Sequence, residues 1–356
     1  MDTVLFQEER VIKKNDLLSK VDTGVREFIL SNLRDIDAST FYWDDTIERD
    51  KITKLVDGYK GYGNVHRIND IPRINKFFER VNQTLNKGDY YVMCMETKDA
   101  RRTRILNKYP RFLSRPYYML DFLVKRVLPK WNFTKKIYFW ITKGRNRVIS
   151  LTEGLGRLVS CGFEIIGYQR VGYKTFILTR KVSEPAYDMQ PTYGALVKLR
   201  RVGKDGKLFN VYKLRTMHPY SEYIQDFTFK RNSLQSGGKI KDDFRITGWG
   251  KVFRKLWIDE LPMFINFFKG QMKLVGIRPL SKHFFNLYPE DLQQLRTKVK
   301  PGLLPPFYAD LPQTLEEIID SERRYLHSYL ARPLRTDIKY FFRATYNILI
   351  KRARSN

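Results

Sequence analysis

The chain has 356 residues, 42% hydrophobic and 29% charged, a length that suits two domains and a composition that supports a buried core. Lys and Arg number 66 against 38 Asp and Glu, a formal charge of +28. Such a field draws polyanions: diphosphate-bearing substrates, anionic lipid or nucleic acid. The 14% aromatic content excludes a disordered basic tail. Two cysteines, Cys94 and Cys161, exclude a disulfide framework and a Cys-rich metal site, and read as buried thiols of a reducing compartment.

The opening stretch, MDTVLFQEERVIKKND, is charged and has no apolar run, so no signal peptide is expected. No window reaches the roughly 18 apolar residues that a membrane-spanning helix needs. The expected location is therefore cytoplasmic, peripheral on the inner face of the plasma membrane, without a transmembrane helix. Residues 1–60 are polar and weakly patterned, and helices are expected there. Residues 64–87 read as helical, with Ile71, Ile74, Phe77, Phe78, Val81 and Leu85 at spacings of three and four. Residues 90–96 (YYVMCME) have the length and apolarity of a buried strand. Residues 98–147 carry fifteen Lys or Arg against Asp99 and Asp121, interleaved with aromatics. Within them, residues 115–131 mix an apolar face with Lys125, Arg126 and Lys130, a composition suited to an interfacial helix on anionic lipid.

A short helix is expected over 151–161, with strands over 163–167 and 174–181. Residues 184–192 (EPAYDMQPT) form the linker. Beyond it, residues 195–202 and 207–214 read as a hairpin closed by Gly203-Lys204-Asp205-Gly206. The pattern then turns helical and ends in a helix over 334–351, followed by Arg352 and Arg354.

The chemistry concentrates in motifs of this second part: Arg201-Val202-Gly203 running to Tyr212-Lys213-Leu214-Arg215, Asp243-Phe244-Arg245, Gly250-Lys251-Val252-Phe253-Arg254, Ile258-Asp259-Glu260-Leu261-Pro262, Asn266-Phe267-Phe268-Lys269-Gly270-Gln271, Val275-Gly276-Ile277-Arg278-Pro279 and Lys300-Pro301-Gly302. Pro262 is tolerated only in a helix's first turn, so Asp259 and Glu260 are expected at a helix N-terminus, where the dipole favours their ionised form. An ionised Asp can attack phosphorus, and a neighbouring carboxylate can hold Mg²⁺ on a diphosphate. His218 and His283 read as surface or core histidines.

In this order the motifs resemble the bacterial sugar transferase family, the monotopic polyprenyl-phosphate phosphoglycosyl transferases that start glycan assembly. The resemblance implies that Asp259 is the nucleophile on the β-phosphate of a UDP-sugar. UMP leaves, a phosphosugar-aspartyl intermediate forms, and a polyprenyl phosphate then accepts the sugar-1-phosphate in exopolysaccharide, capsule, O-antigen or glycoprotein assembly. It implies Mg²⁺ as cofactor with Glu260 as its metal ligand, and Lys213, Arg215, Arg254 and Arg278 as substrate-binding cations. Two stretches depart from the family. The polar linker stands where a hydrophobic re-entrant helix is usual, and Leu303-Leu304-Pro305-Pro306-Phe307 follows Gly302 where a Thr-Gly and a Gln motif are usual.

The first part is similar, faintly, to the later half of an S-adenosylmethionine-dependent methyltransferase. The resemblance rests on Asn86-Lys87-Gly88-Asp89-Tyr90 and on Leu155-Gly156-Arg157-Leu158 with Cys161-Gly162-Phe163-Glu164. No Gly-rich cofactor loop after a first strand precedes residue 86, so a degenerate domain without methyl transfer is expected. The fold class expected is α/β plus α+β: an incomplete Rossmann-like domain over 1–184, then a β-hairpin and helical sugar-transferase catalytic domain over 193–352. Nucleic acid is not an expected partner, since no binding motif accompanies the charge. The alternative to an enzyme is a catalytically silent paralogue that binds nucleotide-sugar or a partner glycosylation enzyme.

Overall fold

The computed structural model describes residues 17–34, 36–52, 58–130, 132–187, 194–232 and 243–351. The chain divides into two compact units, one of residues 1–193 with 218–227, the other of residues 194–217 with 228–356. Residues 218–227 thus leave the sequence of the second unit and join the first, so the second unit is discontinuous.

The first unit is built on a five-stranded sheet in the order β1-β2-β3-β5-β4. Its strands are β1 (Phe41–Asp44), β2 (Gly61–Arg67), β3 (Tyr90–Met95), β4 (Phe163–Val171) and β5 (Lys174–Lys181). β1, β2 and β3 run parallel, whereas β5 is antiparallel to both β3 and β4. From Tyr91 onward β3 is buried residue by residue, as a central strand covered on both faces must be. Helix α1 (Thr23–Asn32) lays Val25, Phe28 and Ile29 against Phe41, Trp43, Val92, Cys94 and Leu178. Helices α2 (Ile74–Thr84), α3 (Lys98–Lys108), α4 (Arg111–Phe122), α5 (Asn132–Thr142) and α6 (Leu151–Ser160) complete the unit. The fold is mixed α/β with a parallel-rich sheet.

Two expectations are corrected here. Residues 1–60 are not helical throughout, because β1 lies among them. The helix expected over 64–87 begins only at Ile74, and its first residues belong to β2. The cause is tertiary. Gly61 pairs with Phe41 and Gly63 with Trp43 across the ladder, and the two aromatic rings occupy the space above the glycines. A Cβ at Gly61 would stand 2.5 Å from Phe41, and one at Gly63 2.4 Å from Trp43. Glycine in this strand marks a close approach rather than a break.

The arginines of the basic segment are partly structural. Glu96 is buried at the end of β3 and accepts from Arg67, Arg101 and Arg104. Arg101 also grips Asp121 with two bonds of 2.7 Å, and Arg126 and Arg157 share Glu153. Removing one partner of such a pair strands a buried charge. Both cysteines are buried, and burial pushes each thiol up to about 12.

The second unit opens with a hairpin, β6 (Leu196–Val202) and β7 (Leu208–Leu214), in the register Leu199↔Val211 and Arg201↔Phe209. Helix α7 (Gly248–Lys255), a 3₁₀ turn over Ile258–Met263 and helix α8 (Phe264–Phe268) follow. Strands β8 (Lys273–Val275) and β9 (Gly302–Leu304) pair in parallel around helix α9 (Glu290–Thr297). Two long helices, α10 (Leu315–Ala331) and α11 (Pro333–Leu349), pack Tyr325, Leu326, Tyr340 and Ala344 on Val275, Ile277, Leu292 and Tyr308. Residues 188–192 of the linker, Trp131, and the terminal Arg352 and Arg354 lie outside the described residues. Among the described residues no helix is long and apolar enough to cross a membrane.

Candidate active site

The acidic pair sits where Pro262 placed it, in the first turn of the 3₁₀ segment Ile258–Met263. Trp257 just before it adopts φ 54°, and its indole donates to the Tyr308 hydroxyl at 3.1 Å. That bond holds the left-handed residue from which the acidic turn departs. The two carboxylates have different surroundings. Glu260 accepts from Lys213 Nζ at 2.5 Å and lines a cleft with it. Asp259 is 9% exposed. Burial raises its carboxyl above the ordinary aspartate range and Glu260 raises it further, while Lys213 and Arg254 pull it down. Beside the helix-terminus position expected to favour the ionised form, desolvation is the largest influence on Asp259, and the nearby cations oppose it.

Of the expected cations, Lys213 and Arg278 line the cleft. Arg254 stands on the Asp259 side. Its Nε donates to Thr216 Oγ1 at 2.9 Å, and burial lowers its guanidinium while Asp259 sustains it. Thr216 is the anchor for this arrangement, because its carbonyl also accepts from the amide of Thr247, whose side chain caps α7. Arg215 lies elsewhere, donating to the Gly194 carbonyl at the base of the hairpin. His218 belongs to the first unit, is buried, and has Arg126 at 3.5 Å. The side chain of His283 lies outside the described residues.

Two further residues join the site that the motif order alone does not single out. Arg201, the first residue of the first motif, lines the cleft, and its guanidinium is lowered by burial and by the charge of Arg278. Among the described residues no carboxylate lies within ion-pair distance of Arg201 or Arg278. Two guanidiniums on one cleft without a carboxylate partner make its potential positive. Asn266 is fully buried and donates to the Asn210 carbonyl at 2.7 Å and to Gln271 Oε1 at 2.8 Å. Its own oxygen accepts from the Tyr212 amide at 3.1 Å. It therefore clamps α8, and with it the acidic turn, onto the strand that carries Lys213. A lone amide between apolar residues, Ile265 and Phe267, is the sequence signal for such a clamp.

Gly276 and Gly302 bring the last two motifs together. Gly302 donates to Ile277 O at 2.9 Å and Gly276 to Leu304 O at 3.1 Å. The backbones are so close that a Cβ at Gly302 would stand 2.1 Å from Gly276 N. Arg278 and Pro279 project into the cleft from this crossing. Leu303, Pro305 and Phe307, from the stretch that departs from the family pattern, and Tyr308 just beyond it supply its apolar wall.

Among the described residues no cluster of three or more His, Cys, Asp or Glu could hold a metal ion by itself. The donor set fits a cation of another kind. Mg²⁺ is commonly held by one or two carboxylates with substrate phosphates supplying further oxygens, and Glu260 offers one carboxylate at the cleft.

The site thus combines a buried aspartate, a Lys-paired glutamate and two arginines without carboxylate partners. Residues 184–351 match the family described as bacterial sugar transferase, and this C-terminal half of the chain is of that family. The galactosyl transferase CpsE of Streptococcus agalactiae serotype III is 40% identical over 110 residues, 31% of this chain and 24% of that protein. The uncharacterized sugar transferase EpsL of Bacillus subtilis is 43% identical over 103 residues, 29% of this chain and 45% of its own length. An undecaprenyl-phosphate galactose phosphotransferase of Salmonella typhimurium is 38% identical over 109 residues, 29% of this chain and 23% of its own length. The chain thus spans less than half the length of each of these relatives. A Thermotoga maritima structure described as a possible histamine N-methyltransferase matches at a TM-score of 0.23 and 14% identity, over 37% of this chain and 60% of its own. A likeness at that level carries no argument about the first unit's fold or cofactor.

Proposed function

We propose that the second unit transfers a sugar-1-phosphate from a UDP-sugar to a polyprenyl phosphate, as a step in bacterial glycan assembly. One observation carries the reading. Asp259 is buried next to a Lys213–Glu260 pair, and the cleft that pair lines also holds Arg201 and Arg278 without carboxylate partners. Phosphoryl transfer asks for this kind of preorganised positive charge around a nucleophile. The names of the relatives support the class of acceptor and donor: one is an undecaprenyl-phosphate galactose phosphotransferase, another a UDP-glucose:undecaprenyl-phosphate glucose-1-phosphate transferase.

In the proposed sequence, an Asp259 carboxylate oxygen attacks the β-phosphorus of the donor. A bond forms between that oxygen and phosphorus while the bridge to the α-phosphate breaks, and UMP leaves with the bridging oxygen. A phosphate oxygen of the polyprenyl phosphate then displaces Asp259, which regains its carboxylate. Mg²⁺, held by Glu260 with the donor's phosphates, would supply charge neutralisation when bound. Lys213 orients Glu260 and neutralises it. Arg278 and Arg201 hold phosphate oxygens, and Lys213 with Arg254 opposes the burial that raises the Asp259 carboxyl. Arg215, at the hairpin base, belongs to substrate binding only if the donor reaches beyond the cleft.

The test is UMP release from a panel of UDP-sugars with Mg²⁺ and undecaprenyl phosphate. Release that is lost in Asp259→Asn supports the reading. Intact donor binding with no release from any donor overturns it in favour of the silent, sugar-nucleotide-binding paralogue.

A further inference from the structure

The first unit carries an apolar surface that the active site does not use. Helix α4 has two faces. Its inner face is tied down through Ser114, which is buried, and Asp121, which is bonded to Arg101. Its outer face presents Phe112, Met119 and Leu120 to solvent, Met119 at 71% exposure. The next helix, α5, repeats the arrangement. Tyr138 is buried and donates to the Arg145 carbonyl at 3.2 Å, whereas Phe133, Trp140 and Ile141 stand outward, Phe133 at 84% and Trp140 at 82% exposure. The outward positions on α5 recur at seven and eight residues, the spacing of one helical face. Exposed large apolar side chains in such stripes mark an interaction surface.

Charge decides what the surface meets. Arg111 and Arg115 on α4, and Lys136 on α5, are exposed beside the stripes, and Lys135 is exposed further round α5. The acidic side chain of these helices, Asp121, is consumed by Arg101. Outward cations interleaved with Trp, Phe, Leu and Met, with no exposed acid, complement an anionic lipid surface: rings and aliphatic chains enter the headgroup boundary while Lys and Arg meet phosphates. We infer that α4 and α5 form a membrane-surface docking element, taking anionic phospholipid and lying outside the residues that match the transferase family. The inference rests on this geometry and does not require the phosphoglycosyl reading.

The native thiols make the test selective, because Cys94 and Cys161 are buried and should stay unlabelled in the folded chain. Met119→Cys and Phe133→Cys are introduced singly in the full chain, with Lys87→Cys in the exposed turn before β3 as control, and each is labelled with a polarity-sensitive dye. On adding phosphatidylglycerol vesicles, the labels at 119 and 133 shift to the blue and the label at 87 does not. Phosphatidylcholine vesicles produce a much smaller change. Neutralising Arg111, Arg115, Lys135 and Lys136 together to Gln weakens partitioning by about five-fold per cation, on the order of several hundred-fold in all. Either label remaining aqueous at saturating anionic vesicle overturns the inference, even if the chain floats through another surface. Equal binding to neutral vesicles overturns the anionic part. A blue shift without lipid that grows with protein concentration, alongside dimer mass by light scattering, assigns the surface to a second copy instead. UMP release plays no part in these readouts, so failure here and failure of the enzymatic reading are separate outcomes.

Discussion

Asn266→Ala tests how the acidic turn is held. The side chain is fully buried and makes three hydrogen bonds, to the Asn210 carbonyl, the Gln271 side chain and the Tyr212 amide. Each neutral bond is worth about 1 kcal/mol net, and stranding a buried partner costs more than the bond itself. The loss should therefore be roughly 2–4 kcal/mol. For a unit of this size each kcal/mol moves the midpoint by about 2–4 °C, so calorimetry should show the second unit melting roughly 4–16 °C lower. Because Asn266 joins the acidic turn to the strand bearing Lys213, UMP release should fall at temperatures where the unit is still folded. Asn266→Asp keeps the acceptor for Tyr212 and loses both donors, so it should not rescue the clamp. A midpoint lowered by less than about 1 °C would refute the reasoning, since three bonds cannot cost so little if they bear the load.

Asp259→Asn should abolish UMP release and yet not weaken the fold at neutral pH. Burial raises the Asp259 carboxyl above its unfolded value, so the folded state binds more protons between the two values. Stability therefore rises as pH falls through the raised value and is lowest above it. The variant should melt no earlier than wild type at neutral pH, with its advantage vanishing in acid; an earlier melt at neutral pH counts against the burial argument. Arg278→Met and Arg201→Met should each lower kcat/KM by about 10- to 100-fold, the loss of one charged phosphate contact, with a double-mutant cycle showing coupling. Additive effects would separate the two arginines. Gly302→Ala places a Cβ 2.1 Å from Gly276 N and should cost about 1–3 kcal/mol or more, read as a lower denaturation midpoint. In the native chain neither cysteine should react with a thiol-exchange reagent until denaturant is added, since both thiols are buried and pushed up to about 12.

Sequence alone determined the local devices. The strand at 90–95, the hairpin with its Gly203–Gly206 turn and the acidic turn ahead of Pro262 follow from periodicity, turn chemistry and proline's steric rule, all of which act within a few residues. The order of motifs was enough to place the C-terminal half in its family. Tertiary structure decided the rest. Gly61–Arg67 became a strand because the rings of Phe41 and Trp43 fill the space above two glycines, a partnership set twenty residues away. Asp259 and Glu260 are neighbours with identical local signals, yet one is buried and the other joins Lys213 across 47 positions. Arg201 and Arg278 stand in the first and a late motif, yet both line one cleft. Desolvation and Coulomb interaction depend on what lies within a few ångströms, and that neighbourhood is assembled by the whole fold.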